Sequence, residues 1–166
     1  MGTHDRMRSR TRGHKDRQIE EVVHDAYQER YKPSGHAYCP RCEAIFQNGR
    51  WQWGPKTAGA HEHVCPACRR IQDHFPAGYV TLSGPFLVQH EAEILGLVRN
   101  EEATAKAEHA LERIIEVKKE QAETVITTTG THLARRIGEA LQHAWKGELD
   151  LKHSPNEYLV RVYWKR

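Results

Sequence analysis

The chain has 166 residues, with 25 Lys and Arg against 22 Asp and Glu, and 38% of its residues are hydrophobic. This length and polarity predict a small globular protein and exclude a wholly disordered chain. No run of 18 or more apolar residues occurs, which excludes a membrane-spanning helix from the sequence pattern. Because no apolar segment follows the basic N-terminus, we expect a cytoplasmic protein with no membrane partner.

The excess positive charge is concentrated at the N-terminus. Residues 1–18 carry six basic and two acidic side chains, a net charge of +4, and leave the other 148 residues at −1. Since residues 1–15 contain almost no apolar side chain, we predict a disordered basic arm. Arginine binds phosphate through paired N–H groups and stacks on bases, so the arm indicates nucleic-acid binding; the alternative is a solvated tail. The assigned residues are Arg6, Arg8, Arg10, Arg12, Lys15 and Arg17.

Residues 16–35 form the second predicted part, an amphipathic helix followed by a linker. Asp16 is the predicted N-cap, and Pro33-Ser34-Gly35 the predicted stop. Apolar side chains recur at helical spacing, at Ile19, Val22, Val23, Ala26 and Tyr27.

Residues 36–77 form the third part and contain two cysteine pairs. Cys39-Pro-Arg-Cys42 and Cys65-Pro-Ala-Cys68 are separated by 22 residues, a spacing typical of a zinc ribbon. Four thiolates match the tetrahedral preference of Zn²⁺ and leave no open position, so the predicted site is structural. Two disulfides or a redox pair are the alternatives. His61 and His63 precede the second pair and are alternative ligands.

The loop between the pairs contains Arg50, Trp51 and Trp53. Tryptophans two apart on a strand share a face. In one interpretation they cover the small core of the module or pack on the next domain. In the other they form a platform for stacked bases beside Arg50, which makes Arg50 and Trp51 candidate nucleic-acid contacts.

Residues 78–166 predict an α+β domain. Two helices covering one face of a mostly antiparallel sheet would give a two-layer sandwich, either ferredoxin-like or K-homology (KH)-like. The last strand alternates between two faces, with Val160, Val162 and Trp164 on the same side. The predicted strands are 79–82, 111–119, 123–129, 148–152 and 157–165, and the predicted helices 86–108 and 131–146.

The turn that leads into the second of these helices is a candidate phosphate site. Thr127 to His132 includes Gly130, and Arg135 and Arg136 follow one turn later. Free N–H groups at a helix N-terminus bind anions, so a phosphate of RNA is one interpretation. The other is an ordinary strand-to-helix turn with Thr131 as the N-cap.

Signals for catalysis are weak. The motifs His-Glu-x-x-His, Gly-x-Ser-x-Gly and Gly-x-Gly-x-x-Gly are absent from the sequence. We therefore expect a protein that is not an enzyme and has no small-molecule substrate. An enzyme or regulator that uses histidines around a second metal is an alternative.

Several motifs resemble a family of uncharacterised bacterial zinc-ribbon proteins. They are residues 38–42, Arg50-Trp51, residues 65–71 and residues 76–78, and the resemblance extends over about residues 16–166. This family is similar to the N-terminal zinc region of the archaeal and eukaryotic adaptor for nuclear export of the large ribosomal subunit. The resemblance implies zinc at the four cysteines and a partner in ribosomal RNA. We predict a zinc-stabilised, ribosome-associated RNA-binding protein that acts in assembly, quality control or dormancy. A DNA-binding or transcription-associated zinc ribbon is the alternative.

Overall fold

The computed structural model describes residues 25–166. The predicted arm at residues 1–15, with its arginines, and the predicted helix start at Asp16 lie outside the described residues. The described chain is α+β, as expected, and contains two sheets and four helices. No helix in this range combines the length and the apolar character needed to cross a membrane.

The first unit is the cysteine module together with the helix that precedes it. The elements are α1 (Ala26–Arg30), β1 (Ala37–Tyr38), β2 (Ile45–Gln47), β3 (Arg50–Gln52), β4 (His61–Glu62) and α2 (Pro66–Asp73). The four short strands form a sheet of order β3-β2-β1-β4, in which β1 pairs antiparallel with β2 and parallel with β4.

Helix α1 is fixed to α2 by a buried ion pair. Asp25 caps α1 by accepting a hydrogen bond from Tyr27 N at 3.0 Å. The same carboxylate accepts from Arg70 Nη2 at 2.6 Å, and the Arg70 side chain is only 3% exposed. Tyr27 also stacks on Phe75, with ring centroids 5.7 Å apart. These contacts place the start of the described chain against the cysteine module.

The second unit is a five-stranded sheet with two helices. The elements are β5 (Gly78–Ser83), α3 (Pro85–Glu108), β6 (Ile114–Glu120), β7 (Glu123–Thr128), α4 (Thr131–Trp145), β8 (Glu148–His153) and β9 (Val160–Lys165). The strand order is β6-β7-β5-β9-β8, and β5 with β9 is the parallel pair among otherwise antiparallel neighbours. From β5 to β8 the elements follow the β-α-β-β-α-β order of ferredoxin-like folds, and β9 is added between β5 and β8.

The core of the second unit lies between the helices and one face of the sheet. On β9, Val160, Val162 and Trp164 are fully buried, which confirms the predicted alternation of that strand. Cross-strand register places Val80, Ile126 and Val162 side by side. Helix α4 covers this row with its own buried apolar stripe, which consists of Leu133, Ala134, Ile137 and Leu141.

Candidate metal centre and the adjoining groove

The four cysteines form one cluster. One sulfur from each of Cys39, Cys42, Cys65 and Cys68 lies within 4.8 Å of the others, so the four could bind a metal ion. Cys42 Sγ and Cys65 Sγ are 3.7 Å apart, and all four cysteines are free. Sulfurs bound tetrahedrally at about 2.3 Å from one ion lie about 3.8 Å apart, whereas a disulfide requires about 2.05 Å. The donor set therefore fits one ion and not two disulfides.

Local backbone structure holds these sulfurs in place. Cys65 is the N-cap of α2, with Pro66 at the first helical position, and its sulfur accepts from Cys68 N at 3.4 Å. Cys39 Sγ accepts from Cys65 N at 3.4 Å, which ties the two pairs together. N–H groups aimed at sulfur favour the thiolate that a metal requires.

The protonation of the cluster is uneven. Hydrogen bonds from Cys65 and Cys68, assisted by the guanidinium of Arg113, lower the pKa of Cys42 far below its ordinary value. The hydrogen bond that Cys65 donates to Cys42 raises the pKa of Cys65 in turn. Cys42 is half-buried, whereas the other three cysteines are buried.

Arg113 completes the site, and no motif in the sequence indicates this role. The residue is only 7% exposed and follows α3 in the second unit. Its Nη2 donates to Cys42 Sγ at 3.0 Å, and its Nη1 donates to Cys68 Sγ at 3.2 Å. Nη2 is also 3.6 Å from Cys65 Sγ, and Nε donates to Ala110 O at 3.0 Å. A guanidinium from one unit thus contacts three sulfurs of the other.

The two tryptophans of the cysteine module differ in exposure, because Trp51 is buried whereas Trp53 is 37% exposed. Trp51 is only 8% exposed and packs on Phe46, with ring centroids 5.4 Å apart. Trp53 donates from Nε1 to Lys106 O at 2.6 Å and so contacts the end of α3. These contacts are those of the packing interpretation, and Trp51 also lines a groove between the two units.

The two histidines before Cys65 lie outside the sulfur cluster. His63 Nε2 is 2.8 Å from Tyr31 O, and its ring stacks on Trp51 with centroids 6.2 Å apart. His61 is exposed on β4. Neither belongs to the group of side chains that could hold the ion.

A groove of about 990 Å³ runs along the junction of the two units. Its walls come from the end of α1, from β3, from the end of α3 and from the start of α4. It brings together Arg50, Arg135 and Arg136, which separate features of the sequence assign to nucleic acid. The basic and histidine side chains that line it are Lys32, Arg50, His109, His132, Arg135 and Arg136.

The arginines of the groove differ in how far they are paired. Arg136 donates to Glu101 at 2.6 Å and to Glu108 at 3.2 Å, so its charge is largely used within the fold. Arg135 is 45% exposed, and its only ion pair within residues 25–166 is a 3.7 Å contact to Glu139. Arg50 is exposed on β3. Arg50 and Arg135 are therefore the better candidates for binding an anion.

The start of α4 is occupied by a carboxylate of the chain itself. Glu112 is 8% exposed and accepts a hydrogen bond from Leu133 N at 3.0 Å. The N-cap position is held by Gly130 rather than by Thr131, and no side chain at that position caps the helix. A phosphate at this turn would therefore meet the Glu112 carboxylate instead of free N–H groups.

Comparisons of the chain with protein-family models, with curated proteins and with solved structures found no match. Its function is therefore inferred from its own residues. The geometry shows a possible four-cysteine metal site, an arginine that joins the two units at that site, and a partly basic groove beside it.

Proposed function

We propose that this is a cytoplasmic, zinc-stabilised RNA-binding protein without enzymatic activity, which associates with the ribosome. The groove at the junction and the basic arm are its RNA contacts. The observation that carries the proposal is the meeting of Arg50 from the cysteine module with Arg135 from α4 along a single groove.

Zinc is the ion that best suits the cluster, because it prefers four soft ligands in a tetrahedron. Cys39, Cys42, Cys65 and Cys68 would hold it. With every position filled by protein the ion stabilises the fold and performs no reaction. Its binding free energy, about 10–16 kcal/mol in small zinc modules, would become folding energy for a unit with a very small core.

The chain connects the arm to the groove. Gln28 of α1 lines the groove, and Asp25 lies in the adjoining small cavity. Arg17 is eight residues before Asp25, a distance of at most about 29 Å along an extended chain. The arm could therefore follow an RNA strand that lies in the groove, and add phosphate contacts to those of Arg50 and Arg135.

The choice of RNA rests on the arginines of the arm and on the resemblance to the zinc region of the ribosomal export adaptor. Arg50 and Arg135 carry planar guanidinium groups that can donate paired hydrogen bonds to a phosphate or to the edge of a base. The groove also carries Glu108 and Glu139, so its wall is only modestly basic and much of the affinity must come from the arm. A compact body with a charged arm suits structured ribosomal RNA.

The test is reversal of charge at the two exposed arginines. We expect the double variant Arg50→Glu/Arg135→Glu to bind purified ribosomal RNA at least tenfold more weakly than the parent in filter binding. The double variant Arg99→Glu/Arg161→Glu is the matched control, because it makes the same change of charge at two exposed arginines that lie outside the groove. Equal loss in both proteins, or no loss in either, contradicts the proposal. Competition with duplex DNA at the same salt concentration separates RNA binding from DNA binding.

A further inference from the structure

The wall of the groove is anchored at the cysteine cluster. Residues 108–112 line the groove directly before Arg113, whose side chain reaches the three sulfurs. Ala110 is buried in the same apolar cluster as the cysteines. The hydrogen bond from Trp53 to Lys106 O is a second link between the units, on the same segment.

Arg113 depends on the sulfurs for its compensation. Within residues 25–166 no carboxylate pairs with its guanidinium, and its other acceptor is Ala110 O. Four thiolates and one Zn²⁺ carry a net charge of −2, so a buried arginine beside them is electrostatically favourable. Cys42 belongs to the first cysteine pair and Cys65 and Cys68 to the second, so one guanidinium can contact all three sulfurs only while the two pairs are held together. A bound ion would hold them together, and a buried guanidinium that loses its acceptors strongly destabilises the packing that buries it.

We propose that Arg113 makes the groove dependent on the metal. With zinc bound, Arg113 holds residues 105–113 against the cysteine module and closes the groove wall. When zinc leaves, this segment separates from the module and the groove no longer binds RNA. Arg113 is therefore a positioning residue, and the protein binds RNA only in its zinc-loaded state. The effect on RNA rests on the proposed function, whereas the movement of the wall is a property of the protein alone.

Arg70 provides a matched control. It is also a buried arginine, only 3% exposed, and donates to Asp25 and to Phe75 O. It makes no hydrogen bond to a sulfur among the contacts of the described chain. Arg113→Lys and Arg70→Lys therefore make the same chemical change at two buried sites, of which only one contacts the cluster. Lysine keeps the charge but cannot reach three sulfurs at once.

The first measurement is zinc transfer from the full chain to the chromogenic chelator 4-(2-pyridylazo)resorcinol. Loss of a side chain that supports metal ligands weakens metal binding by about 10–100-fold, so we expect Arg113→Lys to release zinc at least tenfold faster. Arg70→Lys should stay within threefold of the parent. Equal rates for the parent and Arg113→Lys, or equal acceleration in both variants, overturn the proposal.

The second measurement is amide hydrogen exchange of the parent chain with and without zinc. We expect faster exchange in residues 105–113 after zinc removal, reversed by added zinc, while β5 and β9 keep their protection. Unchanged exchange in residues 105–113 overturns the inference even if the protein binds ribosomal RNA. Zinc-free protein that binds ribosomal RNA as tightly as zinc-loaded protein also overturns it. If the zinc-loaded protein does not bind ribosomal RNA, the proposed function is contradicted instead. The exchange measurement then still tests whether residues 105–113 separate from the cysteine module when zinc is removed.

Discussion

The carboxylate of Glu112 accepts a hydrogen bond from the backbone N–H of Leu133 at 3.0 Å, across 21 residues of sequence. Helix α4 thereby obtains at its N-terminus the acceptor that its own N-cap, Gly130, does not supply. A Cβ atom at Gly130 would collide with the Glu112 carboxylate, so glycine leaves the space that the cap needs. One hydrogen bond thus joins the loop before Arg113 to the helix that carries Arg135.

The burial of Glu112 predicts a pH dependence of stability. Burial raises the pKa of Glu112; the N–H of Leu133, His132 and His109 act in the opposite direction, and Asp25 adds to the rise. The folded protein therefore retains this proton at a pH where the unfolded chain has released it. Stability should fall as pH rises from the ordinary carboxyl pKa of 4.5 through the raised value.

The variant Glu112→Gln should remove this dependence, because the amide oxygen still accepts from Leu133 but carries no proton to lose. As pH rises through this window, we expect the urea midpoint of unfolding of the variant to increase relative to that of the parent. Glu139→Gln is the control, since Glu139 lies on the same helix with its side chain 58% exposed. Parallel pH curves for the parent and Glu112→Gln would contradict the assignment.

Substitution of glycine by alanine should have opposite effects on stability at two helical positions, Gly138 and Gly96. A Cβ at Gly138 of α4 would lie 2.5 Å from Val162 Cγ1 and 3.0 Å from Leu149 Cδ1, whereas a Cβ at Gly96 of α3 has no neighbour within 4 Å. Alanine favours a helix interior by about 1 kcal/mol over glycine, but overpacking a core costs about 1–3 kcal/mol. We expect Gly138→Ala to lower the free energy of unfolding and Gly96→Ala to raise it by about 0.5–1 kcal/mol. Denaturant unfolding measures both, and stabilisation by Gly138→Ala would show that α4 packs less closely on β9 than the structure indicates.

The second unit could be predicted from the sequence because its signals are local. Strand β9 alternates with a period of two, and α4 repeats its apolar residues with the period of a helix, so each element identifies its own buried face. The cysteine spacing is also local, since each pair lies within one tight turn. The added position of β9 between β5 and β8 could not be predicted, because pairing between distant strands has no signature within either strand.

The junction could not be predicted for the same reason. Arg113 contacts sulfurs that lie 45 to 71 residues away, and its neighbours Ile114 and Ile115 indicate only a strand. Nothing in its immediate sequence distinguishes it from a surface arginine. At Trp51 the sequence gives a signal with two meanings, since an aromatic residue beside an arginine is compatible both with stacking on a base and with burial. The fold shows that Trp51 packs on Phe46 and is 8% exposed, and that it also lines the groove.

The metal site predicts one zinc per chain and a specific loss when a ligand is removed. Cys39→Ser should abolish stoichiometric zinc and unfold the cysteine module, because a hydroxyl is a poor ligand and the module has little other core. Metal content by mass spectrometry and the unfolding curve measure the two effects. A full zinc with unchanged stability in this variant would contradict the ligand set. Two zinc ions in the parent would instead favour a second site built from histidines.

The basic arm predicts how RNA binding responds to salt. Removing residues 1–15 takes away five basic side chains, each able to displace a counterion from a phosphate. We expect weaker binding to ribosomal RNA and a smaller slope of log affinity against log salt, by about 0.7–0.9 for each phosphate that is no longer neutralised. Filter binding across a salt series measures both.

The control for this deletion keeps the arm but replaces its five basic residues with serine, which separates charge from chain length. If charge is the cause, the serine arm should behave as the deletion does. If the serine arm retains the parent affinity and slope, the arm neutralises no phosphates. Arg17, which both versions retain, and the groove residues Lys32, Arg50 and Arg135 would then have to account for the whole electrostatic part of binding. Each of these four adds at most about 0.9 to the slope, whereas an arm that binds RNA adds contributions from up to five more residues, so the measured slope itself tells the two arrangements apart.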